Sequence, residues 1–274
     1  MPFFDSSRPL IFAHRGGCAL GPENTLAAFD RGLAAGADGL ELDVHLSADG
    51  VPVVHHDATV DRTTSGSGPV GALTAADLAR LDAGCRFAAG GAYPFSRQGI
   101  GVPTLTEVLH RCPDVRIIVE MKVDSAAMGE AVAREVRRAG AVERVCAAGY
   151  GARSAAAARA ALPEMATSAS YREVQLAVYR TWARWPARGP RYGGYQVPEH
   201  AGRLRIVSPR FIRYAHRAGL AVQVWTVDEE ADMRRLLAWE VDALISNRPD
   251  LAVRVRDAYV GRVPHSEPAG GTVR

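Results

Sequence analysis

The sequence predicts an α/β fold, a TIM (β/α)8 barrel with an inserted segment after strand 2. Short β-rich runs alternate with longer helical patterns from residue 10 to residue 259, as is typical of parallel strands joined by helices. The strand-like runs number eight, and a chain of 274 residues suits a one-domain barrel of roughly 250 residues. One long interval, 45–103, interrupts the alternation.

Hydrophobic periodicity predicts the individual elements. The first helix is the best defined, because Leu26, Phe29 and Leu33 recur at spacings of three and four, and Asn24 or Glu23 can cap its start. The predicted strands are Leu10–Ala13, Leu40–Val44, Val115–Lys122, Arg144–Gly149, Ala166–Ala169, Gly194–Val197, Leu220–Val227 and Ala243–Ser246. The predicted helices are Asn24–Ala35, Thr104–Arg111, Ala126–Ala139, Ala152–Ala161, Tyr171–Arg184, Pro209–Ala218, Glu229–Trp239 and Leu251–Tyr259.

The interval 45–103 is predicted to be an insertion beside the barrel mouth. It is too long for a single strand-to-helix loop, and it contains a further strand-like run, Val51–His55, followed by a stretch rich in Gly, Ser and Pro. Long excursions within a compact domain are usually functional. We therefore predict one barrel domain over 1–260 with this insertion, and a disordered tail over 261–274.

Composition and charge argue against several classes of protein. Thirty-three Lys and Arg against 30 Asp and Glu give +3 with no long basic run, so no nucleic-acid partner is expected. No apolar run reaches about 18 residues and the N-terminus lacks a signal-peptide pattern, so stable membrane insertion is not expected. The four cysteines are scattered without a CxxC pair, which favours a reducing compartment and a cytoplasmic location.

Ionisable residues stand at the predicted strand ends, where a barrel of this kind carries its site. Glu41 and Asp43 lie two residues apart, as do Glu120 and Lys122, so each pair shares one side of its strand. Such pairs are often solvated charges or structural ion pairs. Three carboxylates facing a barrel interior favour instead one divalent cation, and all-oxygen ligands suit Mg2+ or Ca2+. The residues do not distinguish between these two ions.

Two histidines and two cationic side chains complete the predicted site. His14 follows the first strand directly before Arg15, and His56 precedes Asp57, whose carboxylate could orient the imidazole. A single histidine is more often a structural residue, and the chain has eight. Two histidines beside a metal nevertheless suit the acid/base chemistry of phosphoester cleavage. Arg15 and Lys122 are expected to contact phosphate oxygens.

Several distinct short motifs lie along the chain, and some of them contain these residues. They are His14-Arg15-Gly16, Pro22-Glu23-Asn24-Thr25, Gly36-Ala37-Asp38, Glu41-Leu42-Asp43-Val44, Asp49-Gly50, Val53-Val54-His55-His56-Asp57, Arg62-Thr63-Thr64, Glu120-Met121-Lys122, Val224-Trp225-Thr226-Val227 and Ser246-Asn247-Arg248-Pro249. In order and spacing, this set resembles the glycerophosphodiester phosphodiesterase family. The resemblance covers about residues 10–255 and is most specific before residue 65 and at 120–122.

The resemblance implies a TIM barrel with a segment inserted after the second strand, in agreement with the interval 45–103. It also implies a role for each candidate residue: metal ligands Glu41, Asp43 and Glu120, acid/base residues His14 and His56, phosphate contacts Arg15 and Lys122, and a pocket residue Trp225. From the residue alone, Trp225 is equally well explained as core. Asn247 stands where many family members have Asp. His55 points away from His56 by strand alternation and is expected to be a bystander.

The activity that the resemblance implies is metal-dependent hydrolysis of glycerophosphodiesters to an alcohol and sn-glycerol 3-phosphate. The cation and Arg15 would stabilise charge on the phosphoryl oxygens, and the two histidines would move the protons. The sequence does not assign acid and base between His14 and His56. The nucleophile is either water or a neighbouring hydroxyl of the substrate, attacking through a cyclic phosphate.

Three alternative functions compete with glycerophosphodiester hydrolysis. A lysophospholipase D or sphingomyelinase D-like phosphodiesterase would use the same metal and histidines, and an apolar rim would distinguish it. A phosphatidylinositol-type phospholipase explains the acidic trio and the E-x-K motif less well. A non-catalytic phosphate-ligand binding protein is disfavoured, because His14 and His56 are both present.

Two further features have open interpretations. Trp182, Trp185 and Tyr192 cluster around two prolines after the fifth predicted helix, and they form either a hydrophobic lid or ordinary packing. Arg62 either contacts the site or caps the insertion. Neither feature enters the predicted site.

Overall fold

The structure is a computed structural model that describes residues 2–187 and 189–261. Its strands are β1 (Leu10–His14), β2 (Gly39–Leu46), β3 (Pro52–Val54), β4 (Arg116–Met121), β5 (Val145–Ala148), β6 (Ala166–Thr167), β7 (Gly194–Pro198), β8 (His200–Ala201), β9 (Leu204–Arg205), β10 (Ala221–Trp225) and β11 (Ala243–Ser246). Its helices are α1 (Leu26–Ala34), α2 (Ala75–Arg80), α3 (Leu105–Arg111), α4 (Ala126–Arg138), α5 (Ala152–Ala161), α6 (Tyr171–Ala183), α7 (Pro209–His216), α8 (Glu230–Ala238) and α9 (Pro249–Val260). Beyond Gly261, the predicted tail lies outside the described residues.

Parallel strands close into a barrel. Their order is β6-β5-β4-β2-β1-β11-β10-β7, and each pair of neighbours in it runs parallel. The two ends of this order meet through a single parallel bridge between Ser168 and Gly194, supported by the Ala169 N–H, which donates to the Gly194 carbonyl at 2.9 Å. The predicted TIM barrel is therefore confirmed.

The eight predicted strands all occur within the described residues, with ends that shift by a few residues. The last one, Ala243–Ser246, has the predicted bounds. The fifth is shorter than predicted: β6 stops at Thr167, because Ser170 already caps α6 and the chain turns away from the sheet. The shortness of β6 explains why the barrel closes there by one bridge rather than by a full ladder.

The predicted cap of the first helix is wrong. Thr25 caps α1, accepting a hydrogen bond from the Ala28 N–H at 3.2 Å. Asn24 cannot cap because its backbone is left-handed, with a φ of 57°, and its side chain donates instead to Asp43 at 2.8 Å. The start of α1 is thus fixed by one residue and coupled to the barrel mouth by the residue before it.

The inserted segment after strand 2 is present and has a small core of its own. Strand β2 continues to Leu46, and β3 turns back to pair with it in antiparallel register, with Val44 opposite Val54. Helix α2 was not predicted; a capping box at Thr74 starts it. The core of the insertion consists of Val53, Val60, Val70, Leu78, Ala83 and Val102. This arrangement holds the residues after β3 over the barrel mouth.

The barrel interior below the mouth is mainly apolar, and the buried Gln223 within it accepts a hydrogen bond from Gln196 at 2.8 Å. Phe12 and Ile118 fill it from β1 and β4, and strand alternation puts them on the same side as His14 and Glu120, one step nearer the closed end. The ionisable side chains therefore lie at one end of a packed barrel. Among the described residues, no helix is both long and apolar enough to cross a membrane.

Candidate active site

The predicted site residues meet at the carboxyl end of the barrel. Strand pairing places His14 of β1 opposite Glu41 of β2, and Asp43 opposite Glu120 of β4. Lys122 follows β4 directly, and its ammonium lies 3.1 Å from Asp43 and 2.9 Å from Glu120. The parallel register thus gathers five residues from three strands that are adjacent in the barrel.

Glu41, Asp43 and Glu120 form a compact acidic cluster. One carboxylate oxygen from each lies within 4.8 Å of the others, and Glu41 and Asp43 are buried. Burial, followed by repulsion from Asp43 and Glu120, raises the pKa of Glu41 well above its ordinary value. The pKa of Asp43 is lowered in spite of its burial, because Lys122 and Arg15 stabilise the charged form.

Two cationic side chains serve this cluster, and both of them pair with Asp43. The Arg15 Nε lies 3.3 Å from Asp43, and Lys122 bridges Asp43 and Glu120. Within the described residues, the hydrogen bond to the Glu41 carboxylate comes from the Arg15 backbone N–H, at 3.0 Å. A buried carboxylate without a cationic partner is costly, and an all-oxygen donor set suits a hard cation. The cluster is therefore compatible with a divalent metal.

His14 is held by an amide and a carboxylate behind it. Its Nδ1 donates to the Asn247 Oδ1 at 2.6 Å, and the Asn247 side-chain amide donates to Asp228 at 2.7 Å. This fixes the tautomer with a lone pair on Nε2, which lies 3.8 Å from Glu41. Burial, more than the nearby charge of Arg15, lowers the pKa of His14 below its ordinary value. At neutral pH the imidazole is a neutral proton acceptor.

His56 has a different partner. Its Nδ1 donates to the Asp57 carboxylate at 2.6 Å, so its Nε2 is left to face the cavity. Arg62 holds Asp57 with its Nε at 2.6 Å and reaches Glu23 with two further bonds of 2.8 Å. Glu23 also accepts from Arg15 at 2.9 Å. A chain of ion pairs thus connects the insertion to the turn after β1.

A cavity of about 560 Å³ opens between the two histidines. Both histidines, Arg15, Glu120 and Lys122 line one side of it. The opposite side is mainly apolar and aromatic, with Ser168, Gln196, His200 and Thr226 as polar members beside Tyr150, Tyr171, Val174, Val197, Pro198, Ile206 and Trp225. The Tyr150 and Trp225 rings meet edge to face with centroids 6.2 Å apart. The cavity therefore has a charged half and an apolar half.

Four supporting residues fall outside the predicted site. They are Asn24, Arg62, Asp228 and Asn247. Asn247 could have been predicted from the sequence, because it directly follows the last barrel strand, where functional residues are expected. Asp228 could not have been predicted, because its contact with Asn247 depends on how the loop after β10 folds towards β11. His55, expected to be a bystander, is buried and bonds through Nε2 to the Thr59 carbonyl within the insertion.

Fold and site together describe a barrel phosphodiesterase, with carboxylates, histidines and cationic side chains around one cavity. A sequence profile of the glycerophosphoryl diester phosphodiesterase family matches residues 14–251. The chain belongs to the glycerophosphoryl diester phosphodiesterase family.

Individual relatives agree with this membership. A glycerophosphodiester phosphodiesterase from Caldanaerobacter subterraneus subsp. tengcongensis is 31% identical over 253 residues, which cover 90% of this chain and 98% of the relative. One from Bacillus subtilis is 30% identical over 276 residues, covering 92% and 88%. The crystal structure of a glycerophosphodiester phosphodiesterase from Agrobacterium tumefaciens matches with a TM-score of 0.73 and 30% identity, covering 90% of this chain and 99% of that one. The family predicted from the motifs is confirmed.

Proposed function

We propose that this protein hydrolyses glycerophosphodiesters to an alcohol and sn-glycerol 3-phosphate, with a divalent cation. One observation carries the proposal: a single cavity joins the acidic cluster to both histidines. Such a cavity can hold a phosphate diester between a proton acceptor and a proton donor. The family membership and the relatives named above support this substrate class.

Glu41, Asp43 and Glu120 are the proposed ligands of Mg2+ or Ca2+. When bound there, the cation would polarise a phosphoryl oxygen and neutralise negative charge. Arg15 and Lys122 line the cavity beside these carboxylates, and their remaining N–H groups are the proposed phosphate contacts. Trp225 is proposed to lie against the alcohol part of the substrate, because its ring belongs to the apolar half of the cavity.

The two histidines differ in a way that assigns their proposed roles. His14 is neutral at pH 7 and takes the proton of the nucleophile on Nε2. The Asp57 carboxylate accepts from the His56 Nδ1 and orients the ring, and His56 is the proposed donor of a proton to the leaving oxygen as the phosphorus–oxygen bond breaks. Water as nucleophile completes the hydrolysis in one step. A neighbouring substrate hydroxyl would give a cyclic phosphate that water then opens.

Substitution of each histidine tests these roles. We expect His14→Ala and His56→Ala to lower kcat by roughly 10²- to 10⁴-fold with glycerophosphocholine at saturating Mg2+. His110→Ala, on the exposed side of α3, is the matched control and should be as active as the wild type. Near wild-type turnover in either site variant would refute the assignment. Product analysis in 18O-labelled water, with a search for a cyclic phosphate, separates the two nucleophiles.

A second substrate class, lysophospholipids, is favoured by the apolar half of the cavity. A glycerophosphodiester with a small alcohol leaves much of that half unfilled, whereas an acyl chain would cover it. Kinetics with glycerophosphocholine and with lysophosphatidylcholine below its micellar concentration decide between them. A higher kcat/KM for the lysophospholipid would make it the preferred class, and equal loss of both activities in His14→Ala would show that one site acts on both.

A further inference from the structure

Helix α6 carries an apolar stripe on its outer side. Leu176, Tyr179 and Trp182 follow one another at spacings of three residues, and Trp185 lies just beyond the helix with its ring edge to face with Tyr179, 5.9 Å between centroids. These four side chains and Tyr171 are between 47% and 58% exposed. The inner side of α6, by contrast, packs on the barrel through Val174, Ala177, Val178 and Thr181. Five of the nine large hydrophobics exposed in the described residues thus lie within 171–185.

A row of arginines borders this stripe. Arg210, Arg213 and Arg217 lie along the exposed side of α7 and the turn after it, and Arg184 ends α6. These four arginines, with Trp185 and Tyr214, line a cleft of about 520 Å³, and the lining that the structure describes contains no carboxylate. Arg210 donates to the Trp182 carbonyl at 3.0 Å, which ties the row to the stripe. Within the described residues, none of the four forms an ion pair.

Charge is strongly segregated into this part of the chain. Residues 171–218 contain ten arginines and two glutamates, a formal charge of +8, whereas the whole chain carries +3. Both glutamates are already paired, Glu173 with Arg159 at 2.9 Å and Glu199 with Arg235 at 2.6 Å. We call the stripe and the arginine row together the α6–α7 face. It presents amphipathic aromatic rings beside unneutralised guanidinium groups.

We propose that the α6–α7 face docks on the surface of an anionic phospholipid bilayer. Trp and Tyr rings favour the boundary between headgroups and acyl chains, and guanidinium groups bind lipid phosphates through paired hydrogen bonds. A negative bilayer surface attracts each nearby arginine, which complements the charge of this face. This docking is peripheral and requires no spanning helix. It is independent of the reaction assigned to the cavity.

Two other occupants fit the α6–α7 face less well. A second copy of the chain in a twofold contact would bring two faces of the same strong positive charge together. A single-stranded nucleic acid in the arginine-lined cleft would reach Trp185 and Tyr214 but would leave the rest of the stripe uncovered, because the stripe lies on the convex side of a helix and includes Leu176, which has no π face. A bilayer surface is broad enough for the whole stripe.

Docking through the α6–α7 face would bring the mouth of the active-site cavity close to the bilayer. Tyr171, the exposed first residue of α6, precedes the stripe on the same helix and also lines the cavity of the active site. The stripe then runs down the outside of the barrel for the length of α6, about 20 Å. A bilayer held along it would lie beside the barrel with the rim of the mouth close to its headgroups.

Vesicle co-sedimentation of the full-length protein tests the proposal. We expect binding to vesicles of mixed phosphatidylcholine and phosphatidylglycerol, little binding to pure phosphatidylcholine, and release in high salt. Replacing Arg210, Arg213 and Arg217 together by Gln should weaken binding roughly a hundredfold, from about fivefold for each charge. The control replaces Arg80, Arg138 and Arg254 by Gln, which removes the same charge from other exposed positions and should change binding little.

Tryptophan fluorescence gives a second readout. Brominated lipids in the vesicles should quench Trp182 and Trp185, and the Trp182→Phe/Trp185→Phe variant should lose that quenching while Trp225 and Trp239 still report a folded chain. The Trp182→Ala/Trp185→Ala variant should bind vesicles more weakly. Tyr93→Ala, an exposed ring on the insertion, is the control and should bind as the wild type does.

Several results would overturn the proposal. One is no binding of the wild type to anionic vesicles at low salt, and another is equal weakening by the two arginine triples. Binding of single-stranded RNA in place of vesicles would assign the face to nucleic acid, and a dimer in sedimentation velocity that Trp182→Ala dissolves would assign it to self-association. Hydrolysis of a soluble glycerophosphodiester should be unchanged in all these variants, so failure here is distinct from failure of the proposed reaction.

Discussion

The residue behind His14 explains a departure from the family pattern. Asn247 stands where many family members have Asp, and in this chain it both accepts from the His14 Nδ1 and donates to Asp228. An aspartate at 247 would face the Asp228 carboxylate at hydrogen-bond distance, and the two negative charges would repel. Asn247 is therefore the residue that satisfies both neighbours, and it acts as a positioning residue for His14.

Exchanging the two residues behind His14 tests this positioning role. We expect Asn247→Leu to lower kcat by roughly 10- to 100-fold with little change in KM, because the imidazole loses its orienting acceptor. Asn247→Asp alone should lower both kcat and the thermal midpoint. The double variant Asp228→Asn/Asn247→Asp should recover much of both, because the acceptor and the donor have only changed places. Steady-state kinetics and thermal unfolding measure this, and a double variant no better than Asn247→Asp would contradict it.

At the scale of elements, the Arg62 side chain adds a second attachment of the insertion to the barrel, beyond the pairing of β3 with β2. Arg62 bonds to Asp57 beside His56 and to Glu23 in the turn after β1. Glu23 in turn bonds to Arg15. The two halves of the site, one on the barrel and one on the insertion, are thus held at a fixed distance by ion pairs between segments far apart in sequence.

Removing the Arg62 ion pairs should change how stability depends on pH. Arg62 bonds lower the pKa of both Glu23 and Asp57 below their ordinary values. With depressed folded pKa values, the stabilisation is present above about pH 5 and is lost as pH falls, because the unfolded chain binds protons first. We expect Arg62→Gln to be less stable at pH 7 and to lose stability less steeply between pH 5 and 3.

Urea unfolding at a series of pH values measures both expectations. Arg153→Gln is the control, since the Arg153 side chain forms no ion pair in the described part of the chain. It should keep the pH slope of the wild type. A slope in Arg62→Gln equal to that of the wild type would mean that these ion pairs do not control acid stability.

Local sequence patterns were sufficient to predict the barrel strands and the meeting of the acidic residues. The features that depend on contacts between distant segments were not predicted. Alternation along β2 and the register of parallel strands were sufficient to place Glu41, Asp43 and Glu120 together. The cap of α1 was predicted at Asn24 or Glu23, one or two residues too early, because the left-handed backbone of Asn24 and its bond to Asp43 are not encoded in its sequence neighbourhood. The His14–Asn247 bond joins residues 233 positions apart, and no local pattern encodes it.

For the whole molecule, the small net charge conceals two regions of opposite character. The barrel mouth gathers buried carboxylates that two cationic side chains do not fully balance. The α6–α7 face gathers arginines around a cleft whose described lining includes no carboxylate. A barrel allows this separation because its mouth and its outer helices present different sides of the same βα units. The total charge of +3 gives no indication of this separation.

The acidic cluster is compatible with a divalent metal, and binding of a cation there would stabilise the entire fold. Folding buries Glu41 beside Asp43 and Glu120 at a cost, and a divalent cation that binds only the folded chain would offset that cost. At free cation about a hundredfold above Kd, the free energy of unfolding should rise by about 2.7 kcal/mol. We therefore expect Mg2+ or Ca2+ to raise the Tm of the metal-free protein, and sodium chloride at matched ionic strength to leave it nearly unchanged.

The Glu41→Gln variant separates metal binding from the cost of the buried charge. Without metal it should be at least as stable as the wild type, because the buried charge is gone, and its Tm should rise little with either cation. A wild type whose Tm responds to neither cation, with activity unaffected by EDTA, would show that the cluster binds no metal and that Arg15 and Lys122 alone balance it.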